Sequence, residues 1–227
     1  MTLRGVDGRR AEQQRTYNYF YSPQERKEIF EFSSKLADFI HEKNIRNLVI
    51  VDRSSRPAYI GINEYWKFRF PSEPPPNIYF INPKGFNVSY WRGITEQGII
   101  DEFSSVYKKL SADKDKSVLF FDTCIHSGRT LKPVIDIFKK AGFTNILVSS
   151  VKSSDPGSEV KSDFSVTEEF PEGGCYPFGR DTAIVKTVSH VFSDRTTDTV
   201  DKKDSSEIRE EIHRLMKEEI GKERLKK

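Results

Sequence analysis

The segment Val118-Leu119-Phe120-Phe121-Asp122-Thr123-Cys124-Ile125-His126-Ser127-Gly128-Arg129-Thr130 decides the fold that the sequence predicts. Its four apolar residues, 118–121, have the composition of a buried strand, and an acid follows them directly. A loop of small and hydroxyl-bearing residues then leads to a helix predicted to begin near residue 130. Backbone N–H groups in such a loop surround anions well, and the helix N-terminus adds partial positive charge. The segment therefore predicts a phosphate-binding loop for a phosphorylated sugar, with a helix-capping loop that binds no ligand as the alternative.

Strand-like and helix-like segments alternate on both sides of this motif. Ser22-Pro23-Gln24-Glu25 is typical of a helix start, because Ser22 can cap the helix and Glu25 completes a capping box. Buried strands are predicted at 48–51, 78–81, 118–121 and 146–151, and helices at 23–43, 57–65, 99–110 and 131–140. This alternation predicts the α/β class, a parallel sheet flanked by helices.

Size and composition limit the remaining classes. The 227 residues are enough for one domain with appendages: a flexible N-terminus (1–21), a main domain (22–190) that includes an irregular cap (152–190), and a linker with a charged C-terminal helix (191–227). Short β-like pieces are predicted within the cap at 164–166 and 183–188. The charged helix is predicted to begin at residue 205 and is interpreted as a solvated helix docked along a narrow apolar face. A net charge of +3 argues against a nucleic-acid partner, and apolar runs of strand length argue against a membrane span. Two cysteines and no apolar leader predict a reduced, cytoplasmic setting.

The 118–130 segment resembles the motif with which type I phosphoribosyltransferases bind 5-phosphoribosyl 1-pyrophosphate (PRPP). The resemblance implies that family's parallel-sheet fold with a small irregular hood, PRPP as a ligand, and Mg²⁺ as the cofactor. It implies that Asp122 holds the ribose hydroxyls and the metal, and that the loop holds the 5′-phosphate. The residues that it places around PRPP are Asp122, Thr123, Cys124, Ile125, His126, Ser127, Gly128, Arg129 and Thr130.

Two positions depart from the family motif. Thr123 stands where the second acid normally lies, so one contact to the ribose hydroxyls is weakened. His126 stands where many purine enzymes of the family carry an aspartate that handles a proton of the base. A histidine transfers protons near neutral pH, and a simple loop residue is the alternative.

Two further loops match the family by their place in the chain. The stretch Asp52, Arg53, Ser54, Ser55 and Arg56 follows the first predicted strand, where the family has its pyrophosphate loop. A surface loop with two arginines is the alternative. Residues 82–97 lie where the family has a mobile loop that excludes water, and Lys84, Tyr90 and Arg92 are candidates to cover the pyrophosphate. An insertion with an aromatic packing patch is the alternative there.

The cap carries a weaker likeness to the 6-oxopurine enzymes of the same family, those that use hypoxanthine, guanine or xanthine. Lys152 follows the last core strand, where the family places a lysine on the purine O6, and Tyr176 is a candidate to stack on the base. A cap without a base pocket is the alternative, because stacking on an aromatic ring does not distinguish one base from another.

These resemblances predict an enzyme of nucleotide salvage that transfers phosphoribose from PRPP to a nucleobase, a 6-oxopurine by the weaker likeness, and releases pyrophosphate. Asp122, His126 and Arg53 are its candidate catalytic residues, and catalysis would come from positioning and from stabilising the departing pyrophosphate. A homologue that binds PRPP or a nucleotide as a sensor, without transfer, is the alternative. A homodimer is a further expectation from the resemblance. An aspartyl phosphatase is disfavoured because Cys124 stands where the second acid of that mechanism is needed.

Overall fold

The structure, a computed structural model, describes residues 17–20, 22–51, 55–82, 95–152, 156–167, 186–188, 196–198 and 202–225. The helices are α1 (Pro23–Glu42), α2 (Ser55–Arg69), α3 (Glu96–Val106), α4 (Lys108–Ser111), α5 (Lys132–Lys140) and α6 (Lys202–Arg224). The strands are β1 (Asn47–Val51), β2 (Asn77–Ile81), β3 (Val118–Cys124), β4 (Ile146–Lys152), β5 (Phe164–Thr167), β6 (Lys186–Val188) and β7 (Thr196–Asp198).

Five strands form one parallel sheet in the order β2-β1-β3-β4-β5. Alternate residues of its central strands enter two separate cores, because successive side chains of a strand point to opposite faces. Leu119 and Phe121 lie in a core with residues of α1, α2 and α6, whereas Val118 and Phe120 lie in a core with residues of α3 and α5. Helices therefore cover both faces of the sheet, and the predicted α/β class is confirmed.

The central strand β3 is longer than its apolar run. The sequence places its end at Phe121, but its pairing with β4 continues to Cys124, which lies opposite Lys152. Apolar residues mark only the buried part of a strand, whereas backbone hydrogen bonding can continue beyond it. Asp122 is therefore an internal residue of the strand, fixed by hydrogen bonds of the sheet.

The segment expected to form an irregular cap contributes one strand to the sheet. The β-like piece predicted at 164–166 is β5, which pairs in parallel with β4 at the sheet edge. The ring of Phe164 stacks on Phe39 of α1 at 4.3 Å between centroids, so this strand is fixed by the core as well. The second predicted piece, 183–188, contains β6, which pairs antiparallel with β7 in a separate two-stranded sheet.

The charged C-terminal helix α6 is part of the main core. It begins at residue 202, three residues before the predicted start, and a stripe of apolar side chains packs against α1 and α2. The buried members of this stripe are Ile208, Ile212, Leu215, Met216 and Ile220. The interpretation of α6 as a solvated helix docked along a narrow apolar face agrees with this packing. Within the described ranges, no helix is long and apolar enough to span a membrane.

Residues 17–20, near the end of the segment 1–21 for which the sequence predicts flexibility, are held against α6. The buried carboxylate of Glu211 accepts hydrogen bonds from the backbone N–H groups of residues 18, 19 and 20, at 2.6, 3.0 and 3.1 Å. The ring of Tyr17 lies between the guanidinium groups of Arg26 and Arg214, at 4.4 and 4.0 Å. Burial raises the pKa of Tyr17 to about 12, so this phenol stays neutral at physiological pH. Residues 17–20 are thus attached to the C-terminal helix.

We expect Glu211→Ala to destabilise the fold by about 2–4 kcal/mol, because it leaves three backbone donors without their acceptor, and one of them, the N–H of Phe20, is buried. Glu210→Ala is the matched control, since it removes the same charge from an exposed neighbour on the same helix. Urea unfolding measures both variants. Equal midpoints for the two would contradict the role given to Glu211.

Candidate active site

The predicted phosphate motif lies at the carboxyl end of the sheet. Asp122 belongs to the central strand β3, next to Ser150 of β4, and Ser165 of β5 follows in the same register. Ligands of open parallel sheets bind at this edge, outside the carboxyl ends of the strands. The topology therefore brings the end of β3, the end of β4 and the N-terminal end of α2 together at one place.

A serine joins two segments that are 67 residues apart in the chain. Ser55, the first described residue of α2, is fully buried, and its hydroxyl donates to Oδ1 of Asp122 at 3.4 Å. The same hydroxyl oxygen accepts the backbone N–H of Thr123 at 3.2 Å. The sequence predicted that the loop before α2 and the motif after β3 share one site, and this contact brings them together.

The loop after β3 forms a tight turn before α5. The carbonyl of Gly128 accepts the N–H groups of Leu131 and Lys132, at 3.0 and 2.9 Å. Within the described part of the chain, the N–H groups of Gly128 and Thr130 donate to no backbone carbonyl. Gly128 is buried and Thr130 is exposed, so Thr130 is the residue of this pair that lies at the surface of the turn. The side chain of Ile125 does not face this turn, because it is buried in the core with α5.

The loop of residues 156–160 packs on the outside of this turn. The N–H of Glu159 donates to the carbonyl of Ser127 at 2.9 Å, and a carboxylate oxygen of Glu159 lies 3.7 Å from Nε of Arg129. The Arg129 side chain is 81% exposed, so its charge is shared with Glu159 and solvent. The Ser127 hydroxyl accepts the N–H of Arg129 at 3.4 Å. Arg129 therefore interacts with the flank of the turn.

Gly128 is required by this packing. Its φ of +73° lies in the left-handed region, and an added Cβ would lie 2.6 Å from the backbone nitrogen of Val160 and 2.8 Å from Oγ of Ser158. The sequence suggested that this glycine lets the backbone approach an anion. The close approach found here is to the 156–160 loop, which thereby fixes the shape of the turn.

His126 is exposed at the start of the turn, as a group that exchanges protons with a substrate needs to be. Its Nε2 lies 3.1 Å from the Sγ of half-buried Cys124. This contact orients the imidazole at the end of β3, two residues from the last strand position. The arrangement suits a proton-transfer role and equally suits a loop residue held by a neighbouring thiol.

Thr123 is buried, with 2% of its surface exposed. Because residue 123 is a threonine, the position where the family motif has a second acid carries no carboxylate. Among the described residues, no group of three or more His, Cys, Asp or Glu side chains is arranged to hold a metal ion. Among the described residues, β3 offers a single carboxylate at this end of the sheet, that of Asp122, and the Glu159 carboxylate lies beside Arg129 on the flank of the turn.

Of the other predicted site residues, Arg56 and Lys152 lie within the described ranges and the rest lie outside them. The guanidinium of Arg56 lies over the ring of Phe80, 3.9 Å from its centroid, at the end of β2. Lys152 is the last residue of β4 and pairs with Cys124, and only its backbone is described. The predicted residues that lie outside the described ranges are Asp52, Arg53, Ser54, Lys84, Tyr90, Arg92 and Tyr176.

Sequence reasoning missed the contribution of the 156–160 loop. Ser158 and Glu159 shape the turn, yet the sequence around them signals only a turn, through Pro156 and Gly157. It also missed a buried hydroxyl pair beside the site, in which Oγ of Ser150 lies 2.7 Å from Oγ of Ser162. Polar residues in a predicted strand were the available signal for that pair.

Comparisons with known proteins place this chain near one group of structures. No family model matches the chain, and no curated protein matches it. A purine phosphoribosyltransferase from Pyrococcus horikoshii is 17% identical, with a TM-score of 0.39 over 64% of this chain and 92% of that one. A Bacillus anthracis hypoxanthine-guanine phosphoribosyltransferase is 14% identical, with a TM-score of 0.43 over 65% and 80%.

A third structure, a hypoxanthine phosphoribosyltransferase from Staphylococcus aureus, is 11% identical, with a TM-score of 0.42 over 65% of this chain and 76% of that one. All three proteins are described as phosphoribosyltransferases.

We expect Gly128→Ala to destabilise the protein by about 2 kcal/mol or more, through left-handed strain and the contact with Val160. Gly157→Ala is the control in the adjoining loop, where an added Cβ meets no atom within 4 Å. It should change stability by less than about 0.5 kcal/mol. Urea midpoints compare the two, and a Gly128 variant as stable as the Gly157 variant would show that the turn is not packed as described.

Proposed function

We propose that this protein binds PRPP at the carboxyl end of its sheet and transfers the phosphoribosyl group to a nucleobase, a 6-oxopurine, with release of pyrophosphate. One observation carries the proposal. The Asp122 carboxylate on the central strand is held by Ser55, and β3 leads directly into a turn in which the N–H groups of Gly128 and Thr130 have no backbone acceptor among the described residues. Asp122, which would bind a sugar diol, and the turn of residues 127–130, which would bind an anion, thus lie on one strand and the loop that follows it.

The residues have separate roles in the proposed reaction. Asp122 accepts hydrogen bonds from the ribose hydroxyls, and the turn of residues 127–130 binds the 5′-phosphate. A ring nitrogen of the base attacks C1 of the ribose, the bond from C1 to the pyrophosphate oxygen breaks, and pyrophosphate leaves with the electron pair. His126 takes the proton that the base nitrogen loses. Arg53 and Arg56 would stabilise the leaving group, and Lys152 and Tyr176 would bind the base.

The single carboxylate fits a magnesium ion that arrives with its substrate. Mg²⁺ in phosphate sites keeps several waters and uses one or two carboxylates plus substrate oxygens. Asp122 is the residue that would hold it, and the described residues provide no separate cluster for a resident metal. When bound, the ion would neutralise charge on the departing pyrophosphate.

Thr123 favours a second candidate function, a module that binds PRPP or a nucleotide and performs no transfer. The buried threonine removes one of the two acids with which the family motif holds ribose. Positioning of the sugar would then rest on Asp122 alone, and transfer depends on accurate positioning more strongly than binding does.

Calorimetric titration with Mg²⁺ and PRPP, followed by a nucleobase panel read by pyrophosphate release, tests both candidates. Saturable binding with release on adding hypoxanthine, guanine or xanthine supports the transferase. Binding without release for any base supports the binding module. No binding would contradict both.

We expect Asp122→Asn to weaken PRPP binding by about 10- to 100-fold, because hydrogen bonds to a charged acceptor are worth about 1.5–3 kcal/mol. Asp136→Asn is the matched control, since Asp136 pairs with Lys132 on the surface of α5. Calorimetry gives the affinities, and thermal unfolding verifies that both variants fold. Wild-type affinity in a folded Asp122→Asn protein would remove Asp122 from the site.

A further inference from the structure

Ser55 belongs to the segment that the sequence predicted to bind pyrophosphate, but its hydroxyl is committed elsewhere. The residue is fully buried, and the hydroxyl both donates to Asp122 and accepts from Thr123. A serine hydroxyl offers one donor hydrogen and two acceptor lone pairs, so these two contacts are compatible. These two contacts direct the Ser55 hydroxyl toward β3, which is the side of the proposed site that would bind ribose.

The sheet explains why a hydroxyl is needed at this position. The pairing of β1 with β3 ends at Ile50 and Phe121, whereas the pairing of β3 with β4 continues to Cys124. The N–H of Thr123 therefore lies beyond the last β1 partner, and a buried N–H without an acceptor is costly. The Ser55 oxygen accepts this N–H in place of a further β1 carbonyl.

Because the Ser55 oxygen accepts this N–H, the direction of the Ser55 hydroxyl hydrogen is fixed. Because one lone pair of Oγ faces the Thr123 N–H, the hydroxyl hydrogen is available to Oδ1 of Asp122 on the adjacent residue. The backbone of β3 is held by β4, and the position of Ser55 is held by α2, whose side chains enter the core with α1 and α6. The Asp122 carboxylate is thus oriented by two rigid elements.

We infer that Ser55 is a positioning residue for PRPP, which holds the Asp122 carboxylate in the orientation that binds the ribose hydroxyls. This inference rests on the proposed function. It differs from the role that the sequence suggested for Ser55, a direct contact to pyrophosphate, and the two roles predict different ligand dependences.

The test compares Ser55→Ala, Ser55→Thr and wild type by calorimetry, with Mg²⁺–PRPP and Mg²⁺–pyrophosphate as separate probes. We expect Ser55→Ala to weaken PRPP binding about tenfold and to leave pyrophosphate binding unchanged, while Ser55→Thr, which keeps the hydroxyl, restores PRPP binding. Ser33→Ala is the control. Ser33 is also fully buried, and its hydroxyl has no hydrogen-bond partner among the described residues, so this change should not affect PRPP.

A double-mutant cycle with Asp122→Asn shows whether Ser55 acts through Asp122. In that background Ser55→Ala should cause less than a twofold further loss of PRPP affinity. If Ser55→Ala does not fold, Ser55→Cys replaces it throughout, because a thiol keeps the shape and donates only weakly.

The outcomes separate the inference from the proposed function. If wild type binds PRPP and Ser55→Ala binds it with the same affinity, the inference alone is overturned. The inference alone is also overturned if Ser55→Ala causes an equal loss of PRPP affinity with and without Asp122→Asn. A parallel loss of pyrophosphate binding also overturns it, in favour of a direct pyrophosphate contact. Wild type that binds neither probe overturns the proposed function and the inference with it.

Discussion

The continuation of β3 past the end of its pairing with β1 is the constraint on which the site depends. On one side, β4 carries the hydrogen bonding to Cys124. On the other side, the hydroxyl of Ser55 accepts the N–H of Thr123. These contacts keep Asp122 in an extended strand at the carboxyl end of the sheet. A residue in a flexible loop would instead sample many orientations. A preorganised carboxylate of this kind loses little entropy when it binds a sugar diol.

The turn of residues 127–130 depends on a second constraint, which comes from a distant part of the chain. The 156–160 loop touches Gly128 and Ser127 and so determines the course of the backbone before α5. Because this loop lies between β4 and β5 in the chain, the position of the edge strand β5 is linked to that of the turn. This arrangement requires a glycine at position 128, both for its left-handed φ and for the close packing, and it leaves Arg129 sharing its charge with Glu159.

The sequence predicted the fold well because strands buried on both faces have continuous apolar runs. The runs at 48–51, 78–81 and 118–121 each mark a strand of the sheet, with boundaries within three residues. The sequence predicts a cap over the segment that contains β5, because residues 152–190 break the strand–helix alternation and are rich in Ser, Gly, Pro and Asp. Partnership with β4 is a long-range property that no local pattern contains.

The sequence grouped Asp122, Ser55 and the 127–130 turn in one predicted site. The structure shows a hydrogen bond between Ser55 and Asp122, and the turn follows β3 along the chain. The double role of Ser55 and the packing on Gly128 depend on segments 67 and about 30 residues away, so neither is visible in a motif. The burial of Thr123 likewise follows from its place in β3, a strand that continues three residues past the end of its pairing with β1.

The most direct measurement is a titration of ¹⁵N-labelled protein with Mg²⁺–PRPP, followed by the amide signals of Thr123, Gly128 and Thr130, with Mg²⁺ alone as the reference. The account predicts saturable shifts concentrated at these amides and at Ser55, with one common dissociation constant. Shifts that are absent at saturating PRPP, or confined to residues remote from the carboxyl end of the sheet, would contradict the claim that this edge is a PRPP site.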